Sequence, residues 1–279
     1  MGTNHFLKST MIFFVTGAAN GIGQGVAQAL YAQGHSLVVA DIDLQKMQQW
    51  TAQYGCDDDR LLVVQLDVRL PYQWENALRK AVEKFGRIDV GMNIAGVIRA
   101  GYVTDFGLED VDFMIDINLK GVIYGTKLMA EQMLQQGGGQ IVNVASLAGV
   151  APVAGLPVYV ASKFGVRAFS ISAAQELGPR GIAVSVVCPD LVNTQMLTDQ
   201  LPHPAANLTF SGDRVLTVEE ITKVILERAV AQKQLEVLYP RYRGWLGKLG
   251  NLFPQLAPLI AGMLQKKGEK RRLALQKQS

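Results

Sequence analysis

Two hydrophobic periods alternate along the chain. Short apolar runs recur at Met11–Thr16, Ser36–Ala40, Leu61–Leu66, Ile88–Asn93, Gln140–Ala145, Ile182–Cys188 and Leu235–Leu238. Runs of this kind, bounded by glycine, proline or polar residues, suit parallel strands buried on both faces. Between them lie segments of helical period: one ending at Gly34, then Gln45–Gln53, Tyr72–Phe85 behind Pro71, Leu108–Gln136 and Pro157–Leu177. Strands separated by helices predict an α/β fold, a doubly wound parallel sheet of Rossmann type with helices on both faces. No linker, repeat or low-complexity stretch interrupts residues 1–240, so they read as a single dehydrogenase-like domain. Residues 241–279 read as a C-terminal amphipathic, basic extension.

In such a sheet, ligands bind beyond the carboxyl ends of the strands. Gly17–Gly23, Asp41, Asp67, Asn93–Gly96, Ser146 and Pro189–Thr194 all follow strand ends and converge on one edge. The turn Gly17, Asn20, Gly21, Ile22, Gly23 sits between a strand and a helix, where glycines allow close backbone approach and the helix N-terminus offers N–H groups to a pyrophosphate. Asp41, with Ile42 after it, lies where a Rossmann fold places the carboxylate for the adenosine ribose hydroxyls. A carboxylate there repels a 2′-phosphate, and no basic residue stands in Ala18–Asn20 or directly after Asp41. NAD is expected over NADP. Tyr159 and Lys163, four residues apart in a helical segment, share a face. Taken alone they could be a surface pair. A lysine that favours the phenolate would make the tyrosine a general base near neutral pH.

With these residues in place the chain resembles the short-chain dehydrogenase/reductase family over roughly residues 10–240. The matching pieces are TGAANGIG (16–23), Asp67-Val68, NIAG (93–96), Asn118 within INLKG, Ser146, Tyr159 with Lys163, and Pro189 through Thr194. The pattern T-G-x-x-x-G-x-G is that of the family's compact branch. The resemblance implies that Tyr159 moves the substrate proton, and that Lys163 lowers the tyrosine pKa and binds the nicotinamide ribose. It also implies that Ser146 holds the substrate oxygen and that Asn118 holds a water joining Lys163 to solvent. It gives Asp67 and Val68 an adenine contact and Thr194, with Pro189 and Val192, the carboxamide side. Asn93 has two readings, a brace of the central sheet or, with Ala95 and Gly96, a backbone contact to the cofactor. Two departures are Ile94 where asparagine is common and Asp190 where glycine is common; the second would alter the loop carrying Val192 and Thr194.

Composition narrows the picture further. Half of the 279 residues are hydrophobic and 18% are charged, which suits an ordered globular protein. Cys56 and Cys188, with no apolar leader in MGTNHFLKST, suggest a reducing, cytoplasmic setting. His5, His35 and His203 lack metal-site spacing, so no metal is expected. Residues 1–238 carry 18 Lys+Arg against 23 Asp+Glu, and residues 239–279 carry 9 against 1. No nucleic-acid partner is expected of the acidic body. The uncharged loop LAGVAPVAGLPV (147–158) either faces an apolar substrate or packs on the body. Residues 195–216 read as a lid over the pocket. In the extension, Leu246, Leu249, Phe253, Leu256, Ile260 and Met263 form an apolar stripe, with Pro254 and Pro258 splitting it into two short helices. Lys266, Lys267, Lys270, Arg271 and Arg272 follow. Residues 245–272 then either lie on a membrane surface, basic end on anionic headgroups, or pack on this or a neighbouring subunit.

The expected activity is hydride transfer between NAD(H) and a secondary alcohol or ketone that is apolar, such as a steroid, retinoid or fatty-acyl derivative. The alternatives are an NADPH-dependent ketoacyl reductase and a catalytically silent NAD(H)-sensing scaffold. Resemblance also implies a homodimer or homotetramer, paired through residues 108–136 and 157–177.

Overall fold

The computed structural model describes residues 9–277, with the backbone alone for residues 256–260. The apolar runs form seven strands: β1 (Ile12–Thr16), β2 (Ser36–Asp41), β3 (Leu61–Gln65), β4 (Val90–Asn93), β5 (Gly139–Val144), β6 (Ile182–Pro189) and β7 (Glu236–Tyr239). They join in one parallel sheet, in the order β3-β2-β1-β4-β5-β6-β7. Because β1 pairs with both β2 and β4, the winding reverses between them and opens a crevice at their carboxyl ends.

The helices are α1 (Gly21–Ala32), α2 (Leu44–Tyr54), α3 (Pro71–Phe85), α4 (Leu108–Ile115), α5 (Gly121–Gln135), α6 (Pro157–Leu177), α7 (Gln195–Gln200), α8 (Val218–Val224), α9 (Arg241–Leu252) and α10 (Ala257–Gln276). Successive strand residues point to opposite faces, so neighbours in β1 feed different cores. Phe13 joins Val26 and Leu30 of α1 and Ile221 of α8. Phe14 stacks on Trp74 of α3, ring centres 5.8 Å apart, and joins Met129 and Met133 of α5. The sheet is covered on both sides, as its unbroken apolar runs require.

Three departures from the sequence reading stand out. The helical stretch 108–136 is interrupted by a π-helical segment, Asp116–Lys120, that carries Asn118. An unpredicted helix, α8, precedes β7 and continues as π-helix over Ile225–Ala231. Its start is written in the sequence as a capping box, Thr217 with Glu220. The third departure is the extension. Pro258 falls in the first turn of α10, where proline is tolerated, so only Pro254 breaks the helix and α10 is 20 residues long.

The extension is also not wholly free of the body. Lys267 pairs with Asp213 at 2.8 Å, Arg271 donates to the Gly212 carbonyl, and Arg272 is 5% exposed. These three cations are held by the protein itself; Lys266 and Lys270 point outward. Of the stripe, Leu246, Leu249, Phe253 and Met263 are exposed, while the side chains of Leu256 and Ile260 lie outside the described residues. Among the described residues no helix is long and apolar enough to cross a membrane.

Candidate active site

The glycine turn after β1 is set by two close approaches. Gly17 has φ +70°, and a Cβ on it would lie 2.8 Å from the Ala95 backbone. A Cβ on Gly23 would lie 2.1 Å from the Gly17 carbonyl oxygen. Only glycine lets β1's end, the Ile94–Gly96 loop and α1 meet so closely. Asn20 caps α1 with no side-chain bond, leaving the first N–H groups without a side-chain acceptor. Gly17, Asn20, Gly21, Ile22 and Gly23 line the crevice, a cavity of about 510 Å³.

Asp41 stands on the same wall with Ile42. Its Oδ2 accepts from the Ala19 N–H at 3.0 Å and its Oδ1 from the Asp43 N–H at 3.0 Å, so backbone amides fix it beside the glycine turn. Asp67 and Val68 also line the cavity, but Asp67 is gripped by Arg69, whose Nη2 lies 2.6 Å from Oδ2. Those bonds hold its carboxyl below the usual range. Arg69 itself lines the cleft, a cation the residues next to Asp41 gave no sign of.

Ser146 follows β5. Its Oγ accepts from the Ala148 N–H at 3.1 Å and donates to the Pro189 carbonyl at 3.5 Å, and Ser146 lines the cavity together with Tyr159. Tyr159 and Lys163, one turn apart on α6, are buried. Lys163 Nζ donates to the Val144 carbonyl at 3.1 Å and sits 5.7 Å from the Tyr159 ring centre. Burial opposes the expected lowering of the phenol by Lys163. It pushes the phenol up to about 12, against the pull of the Ser146 hydroxyl, and pushes Lys163 down to about 8. Loss of water penalises both charged forms, and no hydrogen bond joins the two groups to offset it.

Asn118 is fully buried. Its Oδ1 accepts from the Val97 N–H at 2.8 Å, and its Nδ2 donates to the Val97 carbonyl at 2.9 Å and to Ser162 Oγ at 3.2 Å. It thereby pins the end of the NIAG loop; a Cβ on Gly96 would lie 3.2 Å from Asn118 Oδ1 and 3.4 Å from Lys163 Nζ. Asn93 braces the sheet. Its Nδ2 donates to Asn143 Oδ1 at 2.8 Å and Thr126 Oγ1 at 3.2 Å, while Ile94, Ala95 and Gly96 line the cavity in its place.

Pro189, Val192 and Thr194 also line the cavity, and a Cβ on Gly21 would lie 3.1 Å from Thr194 Cγ2. The aspartate after Pro189 needs no unusual backbone: Asp190 is not among the residues with positive φ. Its carboxylate pairs with Arg243 of α9 at 2.8 Å, although burial still raises its pKa. The uncharged loop 147–158 packs on the body. Leu156 and Ala148 join Tyr159 in a buried cluster, and the cavity is lined instead by Val97, Ile98, Phe113, Leu191, Met196 and Leu197. Of these, Phe113 lies on α4 and Met196 and Leu197 on α7, where Gln200 also lines the cavity; no sequence motif marks these four positions. The segment 195–216, expected to be a lid, folds as α7 and a 3-10 segment, Pro204–Ser211. Among the described residues no group of acids, histidines and cysteines could hold a metal ion.

The family model described as short chain dehydrogenase matches residues 11–205. The chain belongs to that family. A 3-alpha-(or 20-beta)-hydroxysteroid dehydrogenase of Mycobacterium tuberculosis is 36% identical over 192 residues, covering 69% of this chain and 72% of the relative. A 3-oxoacyl-acyl-carrier-protein reductase of Thermotoga maritima is 33% identical over 218 residues, covering 77% and 88%. Among solved structures, levodione reductase superposes with a TM-score of 0.74 at 26% identity, covering 82% of this chain and 95% of that one. A short-chain dehydrogenase/reductase from Burkholderia phymatum, solved with NAD, has a TM-score of 0.80 at 23% identity, covering 89% and 95%. Membership makes the protein an oxidoreductase of a family that uses a nicotinamide cofactor.

Proposed function

We propose that the protein transfers a hydride between NAD(H) and an apolar secondary alcohol or ketone. The observation that carries this reading is the convergence of Ser146, Tyr159 and Lys163 on the crevice that Gly17–Gly23 line. Two hydroxyls on one point can grip a carbinol oxygen, and Tyr159 takes its proton or returns it. Lys163 keeps a cation near the phenol below about pH 8. A bound dinucleotide supplies the hydride acceptor for oxidation or the donor for reduction. The residues fit it: the uncapped α1 N-terminus suits the pyrophosphate, Asp41 the ribose hydroxyls, and Thr194 the carboxamide end. Screening steroid, retinol and long-chain alcohols with NAD⁺, by NADH absorbance, tests the activity; no turnover with any of them would sink the substrate class.

Asp41 favours NAD, since its carboxylate repels a 2′-phosphate. Arg69 supports the rival, an NADPH-dependent ketoacyl reductase, because it brings a cation to the adenine side; its pairing with Asp67 weighs against that role. Dissociation constants for NADH and NADPH decide, with tighter NADPH binding favouring the rival. We place the protein in the cytoplasm, in keeping with two free cysteines, as a dimer or tetramer paired through α4–α5 and α6.

The extension supports contact with an anionic membrane surface. On α9, Gly244, Gly247, Lys248 and Asn251 face the body, while Trp245, Leu246, Leu249 and Leu252, with Phe253 just beyond its end, are 54–69% exposed. That helix is turned inside out for water. Arg241, Lys266, Lys270 and Lys277 are exposed and in no ion pair among the described residues, which favours anionic lipid over a second, equally basic copy. Co-sedimentation with phosphatidylserine vesicles should fall when Trp245, Leu249 and Phe253 are changed to serine. Unchanged sedimentation, or a concentration-dependent dimer lost in that variant, overturns the membrane reading.

A further inference from the structure

We infer that α10 braces the wall of the substrate site that α7 forms and that Arg272 is the positioning residue that sets it. This rests on the cleft being the substrate site of the proposed oxidoreductase. The body-facing side of α10 carries Gly268, Arg271, Arg272 and Leu275 at three- and four-residue steps. A Cβ on Gly268 would lie 1.9 Å from the Asn207 carbonyl oxygen, so the helix lies directly on the backbone of the segment Pro204–Ser211. Leu275 packs against Leu197, Leu201, Ala206 and Phe210. Arg272 Nη1 donates to the Leu201 carbonyl at 2.5 Å, and its Nε to Asn207 Oδ1 at 2.7 Å.

Leu201 directly follows α7, so its carbonyl belongs to the helix end that is left without an intrahelical donor. A guanidinium satisfies that carbonyl, opposes the negative end of the helix, and reaches Asn207 with the same fork. No carboxylate pairs with Arg272 among the described ion pairs, although it is 5% exposed. A leucine or methionine would fill the same volume without burying an unpaired charge. The guanidinium therefore contributes position: it fixes α7 to the segment 204–211. The residues so fixed are those that line the cleft, Gln195, Met196, Leu197, Asp199 and Gln200. Gln200 Oε1 is buried there with no protein partner.

The test uses the full chain with Arg272→Met, Arg272→Lys and Gly268→Ala. Hydrogen exchange of residues 197–212 should quicken about tenfold in Arg272→Met and Gly268→Ala, with the amides of β1, β4 and β5 as unchanged internal controls. Arg272→Lys should recover only part, since an ammonium lacks the fork that spans both acceptors. NADH affinity should stay within about twofold, while KM for an alcohol found by screening rises several-fold and kcat changes less. Unchanged exchange at 197–212, or equal quickening in the central strands, overturns the inference. Failure of the oxidoreductase reading shows separately, as absent turnover in the wild-type protein with the exchange difference intact.

Discussion

Tyr159 decides the chemistry at the scale of single residues. It is buried at 7% exposure and shares the cleft lining with Ser146, and removing its hydroxyl leaves the fold's packing intact. Tyr159→Phe should lower kcat by at least about a thousandfold and leave the NADH dissociation constant within a few-fold, as read by fluorescence titration. The pH dependence follows from burial. With the phenol raised to about 12, the phenolate fraction grows about tenfold per pH unit below that value, so alcohol oxidation should still be climbing at pH 7. Lys163, lowered to about 8, loses its charge as pH rises through that value, which should flatten the climb above pH 8. Reduction needs the protonated phenol, and its rate should not rise with pH. Profiles of kcat/KM in both directions check this; an oxidation plateau below pH 7 would contradict a phenol held so high.

At the scale of elements, the carboxyl ends of β4 and β5 are tied to α5 and α6 by buried side chains. Asn93, Asn143, Thr126 and Ser170 hydrogen-bond at 2.8–3.2 Å, and Ser170 Oγ donates on to the Val166 carbonyl. A leucine at 143 would leave Asn93, Thr126 and Ser170 without that partner in a dry interior. Asn143→Leu should cost about 2–4 kcal/mol in urea unfolding, because unmade buried hydrogen bonds cost more than made ones contribute. Asn93 has no catalytic part in that account, and the variant should bind NADH normally where it folds. The sequence reading left Asn93 open between a brace of the central sheet and a backbone contact to the cofactor. Its orientation depends on which helix packs behind β4, and no local pattern states that.

The whole molecule is an acidic body closed by a basic extension, and ion pairs join them. Asp190 pairs with Arg243, Glu236 with Lys248, and Asp213 with Lys267. Asp190 is the informative case, because it is largely buried and its pKa is raised by desolvation, against the pull of Arg243. A carboxyl whose folded pKa lies above its unfolded value loses stability as pH rises through that window and regains it as pH falls. Arg243→Ala should raise the folded pKa further. The variant should lose about 1–3 kcal/mol at neutral pH, with the deficit shrinking toward pH 4 in thermal melts across pH. A deficit that grows on acidification would reject the pairing as the cause.

The sequence by itself determined the sheet, because a strand buried on both faces must be apolar throughout, and such runs are visible without a partner. It also placed the glycine turn, Asp41 and Ser146 on one edge, since a parallel sheet sends every strand end the same way, and it set Tyr159 and Lys163 on one helix face. Only the tertiary structure decided what lies between elements far apart in the chain. Burial, which no local pattern measures, set the phenol and ammonium away from their ordinary values. The loop 147–158 turned inward because Met114, Leu156 and Tyr159 needed one another's surface. The basic tail turned inward because Arg271 and Arg272 found carbonyls and an amide oxygen on a segment about sixty residues upstream. Charge runs look solvated in a sequence, and the acceptors that bury them become neighbours only after folding.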